Sequence, residues 1–188
     1  MINPKIKNNK GFTLVETMFA VFILTSTIVA LMTVVSSSLF AARYARNEIT
    51  VNYLLQEVID YIRNDRDTTV FLKNGGTWES FQAQYSVCLN EATGCYFDVL
   101  TSSAVNPTVC ASGCPYFYYD PSADTTPFYV TDNFTNMGSK VKTNFRRKIV
   151  VKPNATNADE IDVTVTIDWL NGNLPMTRSL KTSFMKWQ

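Results

Sequence analysis

The sequence predicts an α+β protein in which one long N-terminal helix packs on an antiparallel β-sheet. Three observations predict it. Residues 11–42 form an apolar run broken by a single ionisable side chain, Glu16. That run passes into an amphipathic stretch without meeting a glycine or proline before residue 65. Late in the chain Ile161, Val163, Val165, Ile167 and Trp169 alternate with polar residues, and Asn171-Gly172-Asn173 supplies the turn to a further strand.

The helix comes first. A hydrocarbon core about 30 Å thick needs roughly 20 apolar residues at helical rise, and residues 12–42 exceed that. With no water in the bilayer, every backbone group must be satisfied inside the segment, so a helix is the expected form. Glu16 is the exception to the pattern. A carboxylate in a spanning helix costs a few kcal/mol near the centre, which marks it as a functional residue with a partner. The spacing predicts a helix over 12–65, with Glu16 about 6 Å along it from Phe12. In its second half Val51, Leu55, Val58, Ile59 and Ile62 recur at helical spacing, while Glu48, Asn52, Gln56, Asp60 and Arg63 fall largely elsewhere on the wheel.

The residues before this run carry Lys5, Lys7 and Lys10 with no acid, which keeps that end on the cytoplasmic side by the positive-inside rule. A short basic leader, then Gly11-Phe12-Thr13-Leu14-Val15-Glu16, then an unbroken apolar helix resembles the type IV prepilin signature. Pilins, minor pilins and type II secretion pseudopilins share that signature. The resemblance implies a pilin-like fold, cleavage between Gly11 and Phe12 by a membrane-embedded prepilin peptidase, and N-methylation of Phe12. It also implies that Glu16 pairs with the N-terminal amine of a neighbouring subunit during assembly. A buried carboxylate is tolerable only when paired, so the physics agrees. A plain signal anchor with a snorkelling glutamate accounts for the apolar run but leaves the glycine and the placement of the lone charge unexplained. Many pilins carry a proline partway along the helix; residues 33–38 have none, which fits a minor pilin or pseudopilin better than a major pilin, and the long helix with cysteine-bearing loops and a late hairpin most resembles the PilV and GspI sort.

The resemblance divides the chain into a leader (1–11), a membrane-spanning and filament-core segment (12–42) and an exported domain (43–188). Residues 64–67 and 74–77 read as the helix exit and a loop. Thr77 is placed to cap a short helix carrying Trp78, Phe81 and Tyr85, an aromatic stripe expected in the core. Strands are expected over 96–100, 116–119, 128–130, 145–152, 160–170 and 176–186, the last two as a hairpin.

Cys88, Cys95, Cys110 and Cys114 lie in loop-like surroundings in the exported part, where an even count favours disulfides. Four cysteines allow three connectivities. Pairing Cys88 with Cys95 and Cys110 with Cys114 is preferred because each pair brackets a glycine-containing loop; spacing alone leaves the others open. A zinc site is disfavoured, since only Cys110 and Cys114 approach the usual ligand spacing. Calcium is the other candidate, at Asp120 and Asp124 or at Asp159, Glu160 and Asp162, and solvated turns are the simpler reading of both. Two sequons, at Asn133 and Asn154, are read as chance. Lys140, Lys142, Arg146, Arg147, Lys148 and Lys152 form the one basic concentration, and on a strand their side chains alternate faces.

With 17 basic against 16 acidic residues the chain has no general attraction to polyanions, and without histidine it lacks the commonest general base. Neither a nucleophile motif nor a phosphate-cradling loop is present, so no enzyme activity, cofactor or metal is expected. The expected role is structural: a minor pilin or pseudopilin of a type IV pilus or type II secretion-like filament. Its expected partners are a prepilin peptidase, other pilin or pseudopilin subunits and the cytoplasmic membrane. The expected placement is single-pass with the N-terminus inside, then a cell-surface filament. The alternative is a membrane-anchored binding module whose disulfide loops and Tyr116-Phe117-Tyr118-Tyr119 hold a surface ligand or, less favoured, nucleic acid.

Overall fold

A computed structural model describes residues 11–72, 76–99, 106–119, 129–131 and 140–186, with the backbone alone at 71 and 72. The leader lysines, the loop residues Asn74 and Gly75, the Asp120 and Asp124 pair and the sequon at Asn133 lie outside the described residues. Two compact units are present, residues 1–45 and 46–188.

Helix α1, Leu14–Asp67, contributes to both units. It starts two residues later than the sequence pattern predicts, because Thr13 acts as its cap: the Glu16 amide donates to Thr13 Oγ1 at 3.3 Å and the Thr17 amide to the Thr13 carbonyl at 3.2 Å. A wider π-helical turn, Thr68–Leu72, follows α1. Helix α2, Trp78–Gln84, opens with a reciprocal capping box between Thr77 and Ser80 and is followed by a 3₁₀ turn, Ser86–Cys88.

The sheet is antiparallel throughout. Its strands are β1 (Cys95–Tyr96), β2 (Thr108–Val109), β3 (Tyr116–Tyr119), β4 (Tyr129–Val130), β5 (Val141–Pro153), β6 (Glu160–Asn171) and β7 (Leu174–Met185). The long strand β5 organises it. One edge of β5 pairs with β6, which pairs with β7; the other edge takes β3 at residues 141–146 and β1 at Ile149. The expected strand at 96–100 shrinks to a two-residue β1, and β2 was not expected; β2 is an edge and β1 lies between it and β5, both short pieces set by tertiary contacts. The β6–β7 hairpin closes through Gly172-Asn173 with Gly172 at φ +65°, the first position of a type II′ turn.

Within residues 46–188, the C-terminal half of α1 lies on the inner face of the sheet. Val51, Leu54, Leu55, Val58, Ile59 and Ile62 of the helix and Ile149, Val151, Val163, Val165 and Ile167 of the sheet are all buried. Full burial of each such side chain stabilises by roughly 1.5–3 kcal/mol. The aromatic stripe is core, as expected: Trp78 stacks on Phe81 at 5.4 Å, Phe81 on Tyr85 at 5.4 Å, and Tyr85 on Phe97 at 6.2 Å.

Three arginines fasten helix to sheet. Arg178 of β7 pairs with Glu48 at 2.8 Å, and Arg66 reaches the Met185 carbonyl at 3.4 Å while lying over the Phe184 ring. Between them the buried Arg147 donates to the Leu54 carbonyl at 3.1 Å, the Glu57 carboxylate at 2.9 Å and the Phe97 carbonyl at 3.0 Å, with its guanidinium over Phe117.

Candidate functional site

The N-terminal site is built on a helix most of whose hydroxyls are closed off internally. Every described residue from 11 to 43 is exposed, including Phe12, Leu14, Met18, Phe19 and Phe22. Hydroxyls are scattered through this apolar surface, and six of them turn back to the carbonyl three residues earlier. Thr17 donates to Leu14 at 2.8 Å, Thr25 to Phe22 at 3.0 Å, Ser26 to Ile23 at 2.9 Å and Thr27 to Leu24 at 2.8 Å. Thr33 and Ser37 do the same to Ala30 and Val34. Each hydroxyl is thereby satisfied without water, as a hydrocarbon surrounding demands. The helix is long and apolar enough to cross a membrane.

Glu16 stands in the first turn, exposed, with its carboxylate near the positive end of the helix dipole. Phe12 lies before the helix rather than within it, and its side chain is 81% exposed. Gly11 has open space where a Cβ would stand, so the Gly11–Phe12 peptide bond is accessible and non-helical. Thr13 is the residue that sequence reasoning passed over. The signal was present: Thr13-x-x-Glu16 is the spacing of a capping box, and the structure forms its Thr13 half.

In the second unit, Cys88 is bonded to Cys95 and Cys110 to Cys114, with S–S distances of 2.02 and 2.00 Å. The two closed loops meet along β1 and β2, where the Cys110 amide donates to the Gly94 carbonyl at 3.2 Å. Gly94 has φ +61°, and a Cβ there would stand 2.5 Å from Lys148 Cγ and 2.9 Å from the Ile149 carbonyl oxygen, so only glycine fits this approach to β5.

The basic residues sort more sharply than the sequence reading allows. Arg147 alone faces inward from β5; Lys142, Arg146, Lys148 and Lys152 all occupy even positions and share the outward face. Lys152 pairs with Glu91, whose carboxyl it holds below the usual range by hydrogen bond and charge. Asp162 is likewise lowered, first by the Ser183 hydroxyl and then by Lys181 at 3.1 Å. Asp159 has Lys186 at 3.9 Å as its ion-pair partner. Among the described residues no three acidic, cysteine or histidine side chains gather as a metal site would require.

Residues 6–39 match the family described as the prokaryotic N-terminal methylation motif. Over these residues the chain is similar to the N-terminus of type IV prepilin-like proteins. The match ends within the apolar half of the helix, so the prepilin-like assignment rests on that segment, and the sheet-bearing unit adds the α+β architecture expected with it. No curated protein and no solved structure matches the chain.

Proposed function

We propose that this prepilin-like protein is a structural filament subunit, a minor pilin or pseudopilin, trimmed after Gly11, methylated at Phe12 and assembled through the first half of α1. One observation carries the reading: an exposed apolar helix with most of its hydroxyls satisfied internally retains a single carboxylate, Glu16, beside the methylation motif. Cleavage at Gly11 creates a cationic amine at Phe12. In a surrounding of low dielectric the carboxylate of one subunit and the amine of the next each remove the other's desolvation penalty, which sets the axial register of assembly. Methylation leaves that amine protonated and keeps the attraction. The role is packing and charge neutralisation, with no reaction catalysed by this chain. A minor or pseudopilin position is favoured because α1 runs through residues 33–38 without a proline break.

Co-expression with a prepilin peptidase tests the first half of the proposal. Mass spectrometry is expected to find N-methylated Phe12 as the first residue, and a persistent leader overturns the reading. Glu16→Ala tests the second half. Membrane insertion is expected to persist while incorporation into filaments is lost; unchanged incorporation overturns the assembly role and leaves a membrane-anchored binding module.

A further inference from the structure

The outward face of the sheet carries a track that the filament reading does not use. Three open depressions of about 270, 330 and 320 Å³ follow one another along β5. Arg146 and Asp168 line both the first and the second, and Lys148 lines both the second and the third, so each shares a wall with the next. Tyr116, Asn144 and Thr177 also line the first, beside the apolar Leu170, Pro175 and Met176; the Cys110–Cys114 loop borders the second. Lys152 and Lys181, each paired with an acid of the same wall, Glu91 and Asp162, line the third together with Thr164 and Thr166.

Each depression is at the small end of the range for ligand sites, and a series with shared walls suits an extended chain better than a compact molecule. Charge chooses among such chains. Lys142 Nζ lies 4.1 Å and the Arg146 guanidinium 4.6 Å from the centre of the Tyr116 ring. Among the described residues neither cation has a carboxylate within 4.0 Å; both are exposed and outside any ion pair, with Asp168 across the strand from Arg146.

We propose that this face binds a linear acidic polysaccharide, its carboxylates met by Lys142, Arg146 and Lys148 and its hydroxyl groups by Asp168, Thr164 and Thr166. The mixture of charges favours a glycan over a nucleic acid. A uronate chain and a phosphodiester backbone both carry a charge at every repeat, but the uronate chain also carries sugar hydroxyls, donors that Asp162 and Asp168 can accept from and that a DNA backbone lacks. Bases also need an open ring to stack on, and both cations already sit against Tyr116. The inference rests on residues 46–188 alone and is independent of how α1 is processed.

The test uses the full chain in neutral detergent micelles, titrated calorimetrically with polygalacturonate, neutral dextran, and single- and double-stranded DNA. Polygalacturonate is expected to bind and dextran not to. The double variant Lys142→Gln/Arg146→Gln is expected to weaken polygalacturonate binding about tenfold or more, through loss of two charge-assisted contacts. Lys148→Gln, from the shared wall of the second and third depressions, is expected to weaken it several-fold, with the melting temperature of each variant confirming an intact fold. Asp168→Asn separates the two polyanions: it weakens a glycan and tightens DNA. Failure to bind polygalacturonate, equal binding of dextran, or DNA bound more tightly and strengthened by Asp168→Asn overturns the proposal.

Discussion

The two halves of α1 share one backbone ladder and meet opposite fates. From Leu14 to residue 43 every side chain is exposed, and six hydroxyls are satisfied within the helix itself. From Val51 to Arg66 one face is buried against the chain's own sheet, and the polar fastening comes from residues far away in sequence. Helical propensity does not distinguish them, since neither holds glycine or proline. The difference lies in where the apolar surface is completed. The second half finds its complement in β5 and β6, while the first leaves a large apolar surface uncovered, which a lone soluble protein does not tolerate.

Breaking the second half should therefore unfold the sheet-bearing unit, and breaking the first should leave it standing. The largest effect is expected at Arg147. Replacement by alanine removes the links to Leu54, Glu57 and Phe97 and leaves Glu57 half-buried without its cation, a loss of about 3–5 kcal/mol by thermal or urea unfolding of the full chain in micelles. A change below about 1 kcal/mol would show that the helix is held by apolar contact alone.

Next comes a paired truncation within α1. Ile62→Ala, at a site with 0% exposure, is expected to cost about 2–5 kcal/mol, because the cavity sits between helix and sheet. Ile28→Ala, 48% exposed, is expected to shift the same unfolding transition by less than about 0.5 kcal/mol. Equal effects would abolish the distinction between the halves.

The smallest effect sharpens the comparison at the end of the helix. Tyr85 donates to the Asp65 carboxylate at 2.9 Å, and burial, then the Asp65 charge, raises its phenol far above the ordinary value. An unfolded tyrosine ionises near pH 10, so the stabilisation from the folded, protonated phenol is whole below about pH 10 and falls as pH rises past it. The phenolate absorbance of the chain should show a fraction that appears only together with alkaline unfolding. Tyr85→Phe should remove that fraction and cost about 1 kcal/mol at neutral pH. A smooth titration of all tyrosines before unfolding would contradict the buried pairing.

Much of this was legible in advance. The five aliphatics of the amphipathic half and the alternation from Ile161 to Trp169 are periodic signals, and burial follows them residue by residue, while the apolar run announces its helix by length and composition. Capping at Thr77 is local chemistry and was also readable. What escaped was non-local. Nothing in the order Arg146-Arg147-Lys148 says that the middle cation turns inward to serve a helix some 90 residues earlier, which depends on which face of β5 the core claims. The shortened β1 and the unforeseen β2 are fixed by partners distant in sequence rather than by their own propensity. Thr13 escaped for another reason: the apolar pattern reaches back to Phe12, while the hydrogen bonds begin the helix at Leu14.

The cross-links of the second unit carry a temporal consequence. Each joins near neighbours, with separations of 7 and 4 residues, and each ring is complete before β5 begins. Ring closures this short are intrinsically fast. A chain made from its amino end thus holds all the residues for correct oxidation while the three longest strands are still unmade. Sulfur pairing needs no template from the finished sheet, and late misfolding of the hairpin can be undone without a thiol ever being exchanged.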